Sequence, residues 1–287
     1  MLLRKLPADN VLHAMPADKS DGLARLKNSL ESMLDDFLAR RLPLRRIAFL
    51  ASIFKIVDDE CDQYKKVCQR ILNEQKNDGG WVDCEDSTWN VYFLSGNPEH
   101  ALNRKKAIQW LKSEKCKNEG WGFCKRDNSC IPITSQVLYL IPELRVSSAA
   151  KWLENEWARD LKAAVNLNYK GAWYLLAYTQ MHDDFKMSEE LLINTIKYLI
   201  SEQRNDGGWG PWKNHPAPTS AFITGLTVLA LSESLKIISL KSIATSFKKC
   251  VKWFKANQIE NGLFPVHYIE EGSAWAYIGW RKIVDVL

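Results

Sequence analysis

Four consecutive residues, Asp83-Cys84-Glu85-Asp86, set three carboxyl groups directly ahead of an apolar run, Ser87-Thr88-Trp89-Asn90-Val91-Tyr92-Phe93-Leu94. Carboxyls crowded together beside an apolar hollow resist full ionisation, so one of them can hold a proton near neutral pH. Such a group is a general acid. The plainer alternative is an acidic solvated loop with Ser87 as a helix cap. Glu270-Glu271 forms a second acid pair ahead of another apolar run and reads as a rival acid or as surface. His215 and His267 stand in comparable loops, where they can bind a diphosphate, act as bases or simply face solvent. Asp58-Asp59-Glu60 and Asp183-Asp184 follow apolar runs instead, and read as solvated turns.

Aromatic residues crowd the same apolar runs: Trp89, Tyr92, Phe93, Trp173, Tyr174, Phe222, Trp275, Tyr277 and Trp280. Facing a cavity, their π faces can stabilise cations; otherwise they are core, and about half are expected there. Cys116, Cys124 and Cys130 lie eight and six residues apart with no Cys-x-x-Cys and no paired His, which argues against a structural zinc site.

The elements that must position these groups come in repeats. Gln75, Gly79 and Trp81 recur as Gln203, Gly207 and Trp209, in part as Trp121 with Gly120, and as Gln258, Gly262 and Phe264. Trp81 and Trp121 are 40 residues apart, and Trp121 and Trp209 are 88 apart. A period near 40–45 marks an array of supersecondary units. Each copy follows an amphipathic helix, at 63–74, 102–115, 189–202 and 243–256, and two more amphipathic helices are read at 147–161 and 23–40. An apolar helix follows each, at 44–57, 88–95, 133–141, 171–180, 219–232 and 273–286. Gly stops the first helix, Trp folds back on it, and Gln is expected to bond the exposed backbone at that end. Six outer and six inner helices predict an all-α, single (α/α)6 toroid, with residues 1–20 an N-terminal extension and 21–287 the barrel.

Bulk properties narrow the function. The 287 residues are 46% hydrophobic and carry 12 Trp, too many for a polar surface. The net charge of +5 is scattered, which argues against nucleic acid but leaves weak attraction to an anionic membrane surface or a diphosphate. No run reaches the roughly 18 apolar residues of a membrane span. No signal peptide is read at the N-terminus. Seven Cys, an odd number, fit a reducing cytoplasm better than a disulfide framework.

The pattern aromatic–Leu–three residues–Gln–three residues–Gly–one residue–Trp resembles the QW motif of squalene-hopene and oxidosqualene cyclases. Residues 198–209 match it fully. Residues 70–81 carry Arg70 and Ile71 at the first two places. Residues 110–121 keep Trp110, Leu111 and Trp121 but have Lys115 and Glu119 for Gln and Gly. Residues 253–264 have Phe254 and Phe264 for Leu and Trp. Asp83–Asp86 resembles the Asp-x-Asp-Asp motif of class II terpene cyclases, with Glu85 in place of the middle acid. The resemblance implies a class II terpene-cyclase-like enzyme, an isomerase or lyase of small-molecule biosynthesis, that cyclises an isoprenoid or related apolar substrate after protonating it. It implies Glu85 as general acid, with Asp83 and Asp86 adjusting its proton affinity. Trp89, Tyr92, Phe93, Trp173, His215, Phe222, His267, Glu271, Trp275 and Tyr277 are the expected substrate contacts. No cofactor is implied, save magnesium where a substrate carries a diphosphate. Family enzymes usually seat substrate between two barrels, so a second helical subunit is an expected partner. Two alternatives stand: a prenyltransferase-type subunit with a partner and a zinc near Asp83, Cys84 and His267, and a non-catalytic toroid that binds an apolar ligand or a protein.

Overall fold

A computed structural model describes residues 18–265 and 268–286, with side chains from Asp21 onward. His267, and nearly all of the N-terminal extension expected at 1–20, lie outside the described residues. Twelve α-helices and no strand occur among the described residues: α1 (Asp18–Ala39), α2 (Leu44–Ile56), α3 (Tyr64–Glu74), α4 (Cys84–Phe93), α5 (Ala101–Ser113), α6 (Ile131–Leu140), α7 (Ser147–Asp160), α8 (Asn168–Phe185), α9 (Glu189–Ser201), α10 (Ala221–Ser234), α11 (Lys241–Asn257) and α12 (Ile269–Val286). The even-numbered helices form an inner ring. Each packs on the next, and α12 returns to α2. The odd-numbered helices form the outer ring, with α1 lying against both α12 and α2. The (α/α)6 toroid is therefore closed.

The repeated turn does the joining. Each Trp indole donates to a carbonyl ten residues back on its own outer helix: Trp81 to Ile71 at 3.0 Å, Trp121 to Leu111 at 2.8 Å and Trp209 to Leu199 at 2.7 Å. The Gln side chain reaches two ways, as its position at an open helix end requires. Gln203 donates to Gly207 O in its own turn and to Ser246 O on the next outer helix, α11. Gln75 makes the same pair of bonds to Gly79 and to Asn103 on α5, and Gln258 to Gly262 and to Gly22 on α1. The last copy thereby closes the outer ring. Where Lys115 and Glu119 replace Gln and Gly, they form an ion pair, and both side chains reach Ser148 on α7.

The two glycines of Asn-Asp-Gly-Gly have different tasks. Gly207 has φ of +95°, which L side chains resist. Gly208 has an ordinary φ, but a Cβ there would lie 2.5 Å from the Trp253 ring on α11. The aromatic that opens one motif thus packs on the turn of the motif before it.

Four inner helices, α4, α6, α8 and α12, begin earlier than the sequence suggests, while α2 begins at Leu44 as expected and α10 later, at Ala221. Residue Asp83 is the N-cap of α4 and accepts from Asp86 N at 2.9 Å. The acid cluster therefore occupies the first helical turn rather than a loop, and Ser87 is not a cap. Ser87 Oγ instead accepts the backbone N–H of Trp81 at 3.1 Å. Thr134, Thr224 and Ser273 do the same for Trp121, Trp209 and Phe264. Each of these hydroxyls lies in the first two turns of an inner helix, tying it to the turn before it.

Candidate functional site

All six inner helices start at the same rim, and a cavity of about 400 Å³ opens there. Its walls come from α2, α4, α6, α8, α10 and α12. Phe49, Trp89, Trp173, Phe222 and Trp275 line it with aromatic rings, and Arg45, Arg46, Glu85, Gln136, Glu270 and Glu271 line it with polar groups. Helical geometry sorts them. Residues four apart share a face, so Arg45 sits above Phe49, Glu85 above Trp89 and Glu271 above Trp275. The floor is one aromatic cluster around Trp275, whose ring centroid is 5.5 Å from Trp173, 5.7 Å from Phe49, 6.1 Å from Phe222 and 6.3 Å from Trp89.

The structure brings Glu85, Trp89, Trp173, Phe222, Glu271 and Trp275 together, as candidates for one site. Six other expected site residues stand apart from the cavity, Asp86 among them. Asp83 caps α4 at the rim edge. Tyr92 lies beneath the floor, 6.5 Å from Trp89, with Lys55 Nζ over its ring. Phe93 packs on Tyr64 of the outer helix α3. Tyr277 reaches the far rim, where its hydroxyl bonds Asp59. Asp59 also pairs with Lys27, so it is no solvated turn residue. His215 stacks edge-on against Trp212, and its Nδ1 accepts from Ala217 N. Phe49, Arg45, Arg46 and Gln136 were not expected. Their signal is positional: each lies in the first two turns of an inner helix, the same place that Glu85 and Trp89 occupy in α4.

Acids in a first helical turn are favoured by the helix dipole alone, so their presence there says little. Their burial says more. Burial pushes the Glu85 carboxyl up, and Asp83 and Glu271 add to this; Arg45, paired with Glu85, and Gln136, donating at 3.4 Å, pull it down. Burial likewise raises Glu271, against Arg45. Asp86 is pushed up to about 7, first by burial and then by Asp83. Its Oδ1 is buried without a hydrogen-bond partner and lies 3.7 Å from Arg45 Nε. Arg45 is thus the counter-ion shared by three carboxyls, and it is half exposed at the mouth. Arg46 is held by Glu270 at 2.6 Å and by the Phe37 ring.

A carboxyl whose folded pKa exceeds its unfolded value contributes stability at low pH that is lost as pH rises. Asp86 should therefore destabilise the fold progressively from about pH 4 to about pH 7. Asp86→Asn is expected to be more stable than the parent above about pH 8, by on the order of 2 kcal/mol, and no more stable below about pH 4. Urea unfolding at both pH values checks this.

Among the described residues no group of three His, Cys, Asp or Glu stands close enough to hold a metal ion. Cys84 is fully buried behind the rim, its thiol pushed up by that burial. Neither Asp83 nor Cys84, the described members of the zinc set that the prenyltransferase alternative placed there, lines the cavity.

No protein-family model matches the sequence, and neither does any curated protein. Solved structures do match. A type II terpene cyclase from Scytonema, in complex with geranylgeranyl dihydroxybenzoate, aligns with a TM-score of 0.67 at 11% identity, over 93% of this chain and 99% of that one. The chain shares the (α/α)6 toroid fold of that cyclase. An ent-copalyl diphosphate synthase from Streptomyces platensis aligns with a TM-score of 0.63 at 12% identity, over 83% of this chain and 49% of its own, so the toroid spans about half the length of that synthase. A possible member of the GH105 family from Salmonella enterica aligns over 99% of this chain with a TM-score of 0.64 at 10% identity. At such identities the likeness concerns the fold.

Proposed function

We propose that the toroid is an enzyme of the type II terpene-cyclase kind, which starts its reaction by protonating a carbon–carbon double bond or epoxide of an isoprenoid-like substrate. The observation that carries this reading is the placement of Glu85: a carboxyl of raised proton affinity, one helical turn above Trp89, at the mouth of a cavity floored by aromatic rings. The apolar chain lies on the floor, and Glu85 gives its proton to the substrate carbon nearest it. The resulting cation faces Trp89, Trp173 and Trp275, each ring worth about 1 kcal/mol or more when desolvated. Ring closure follows, and the cation ends by losing a proton to a carboxylate or by capturing water.

Cavity size restricts the substrate. At about 30 Å³ per water-sized group, 400 Å³ holds on the order of 13 heavy atoms. Two to three isoprene units fit on that basis, and any longer chain or head group extends through the mouth. Magnesium belongs to this reading only where the head group is a diphosphate.

Turnover in D₂O tests the mechanism. Incubation with geranyl, farnesyl and epoxide-bearing polyenes should give a cyclic product with one carbon-bound deuterium, read by mass spectrometry. A product without that deuterium would remove proton initiation. Saturable binding of these polyenes with no turnover would leave a binding toroid.

A further inference from the structure

Three carboxyls line the cavity, and they are not bound alike. Glu85 is held at both oxygens, Oε2 by Arg45 and Oε1 by the Gln136 amide. Glu270 is held by Arg46. Glu271 lines the same cavity from the first turn of α12, yet it makes no hydrogen bond and no ion pair with a described residue. In the inner ring α2 packs on both α4 and α12, the helices that carry Glu85 and Glu271. Each of these acids lies one turn before a tryptophan, Trp89 or Trp275, and the two ring centroids are 6.3 Å apart. Arg45 on α2 acts on the charge of both.

A cation among aromatic rings gives up a proton only to a group that is ionised, within reach and unoccupied. Once Glu85 has donated, it is ionised, but Arg45 and Gln136 occupy its oxygens, and an ion pair weakens a base. Ring closure also carries the positive charge along the chain, away from the carbon that Glu85 protonated. Glu271 meets all three conditions when it is ionised.

We propose that Glu271 is the base that ends the reaction, so that the product is a cyclic isomer of the substrate with a new carbon–carbon double bond. The assignment rests on the proton-initiated cyclisation already proposed. Glu85 gives its proton to the substrate, and the electron pair of the double bond makes the new C–H bond. After ring closure, a Glu271 oxygen takes a proton from the carbon beside the cation, and that C–H electron pair becomes the new double bond. One proton enters and one leaves, so no oxygen from water is gained. The charges favour this order. Ionised Glu271 raises the proton affinity of Glu85 and keeps the donor loaded, with Asp83 acting the same way and Arg45 and Gln136 opposing. Burial, helped by Glu270 and opposed by Arg45, makes Glu271 a stronger base than an ordinary carboxylate. The two acids share one proton before and after turnover, so the cavity gains no net charge.

Glu271→Gln keeps the size of the side chain and removes the base. With the polyenes in D₂O enriched in heavy oxygen, the parent should form a cyclic alkene with one carbon-bound deuterium and no heavy oxygen. Glu271→Gln should still consume substrate and add deuterium, but its alkene fraction should fall roughly tenfold or more, replaced by an alcohol carrying heavy oxygen. An unchanged alkene fraction would overturn the assignment. So would a Glu271→Gln protein that neither consumes substrate nor adds deuterium while Glu85→Gln does both, since the roles would then be reversed. A parent product without deuterium would instead remove proton initiation, so the two failures read differently. Infrared titration needs no turnover. The carbonyl band of protonated Glu85, identified by its loss in Glu85→Gln, should vanish at lower pH in Glu271→Gln than in the parent. An unmoved midpoint would mean that Glu271 exerts no field on Glu85, and would overturn the proposal as well.

Discussion

Glu85→Gln should lower turnover by a factor of about 10² to 10⁴, the usual worth of a positioned general acid, while leaving the fold intact. Gln has the same shape and can still meet Gln136, and Arg45 keeps Asp86 within 3.7 Å. Melting temperature should therefore change little. The parent enzyme should also lose activity as pH rises through the Glu85 pKa, because only the protonated carboxyl donates, and burial holds that pKa above the ordinary range. Arg45 opposes this, so Arg45→Ala should extend activity toward higher pH. Asp86→Asn is the informative companion. Asp86 is raised further than an ordinary aspartate, to about 7, yet it stands behind the cavity wall. Loss of turnover in Asp86→Asn with activity retained in Glu85→Gln would move the proton donor to Asp86 and refute the assignment made here.

The largest effect on stability is expected at the α10–α12 contact. A Cβ on Gly225 would sit 2.0 Å from Trp275 O and 2.2 Å from Trp275 C. Both atoms are backbone, so no side chain can swing aside. Gly279 faces it, and its own Cβ would lie 2.8 Å from Gly225 Cα. Gly225→Ala must push the two helices apart, at a cost of about 3 kcal/mol or more. That is a large share of the 5–15 kcal/mol that typically holds a domain together. Urea unfolding followed by far-ultraviolet circular dichroism would read it. A loss below about 1 kcal/mol would mean that the helices relax without penalty. Because Trp275 is the hub of the floor, a folded Gly225→Ala protein should also show a distorted cavity, seen as weaker binding of any apolar ligand.

How far the sequence foretold this molecule depends on the kind of signal. The toroid was legible because Gly207 and Trp209, with their copies, punctuate helices of two distinct patterns at a near-constant period. Most inner-helix starts were not, α2 at Leu44 being the exception. Glu85 and Asp86 in α4, and Glu270 and Glu271 in α12, look like loop residues because polar groups favour both loops and first helical turns. The hydroxyls of Ser87, Thr134, Thr224 and Ser273 were hidden because they follow their Trp or Phe partners by 6, 13, 15 and 9 residues. Loop length varies while the contact stays. The aromatics divided by depth. Trp89 and Trp275 stand at the floor, whereas Tyr92, Phe93 and Tyr277 come later on the same helices and fall below it. Counting turns from a correct helix start separates these groups, and α2, whose start was read correctly, already offered Arg45 and Phe49 as a pair four apart. His215 could not be placed by counting, since its loop folds onto Trp212.

The aromatic cluster around Trp275 makes the toroid a cup rather than a pipe. Whatever enters past Arg45 and Glu85 must leave past them again. A departing product and an arriving substrate therefore contend for one doorway, and the product should act as a competitive inhibitor whose release sets the pace once the chemistry is fast.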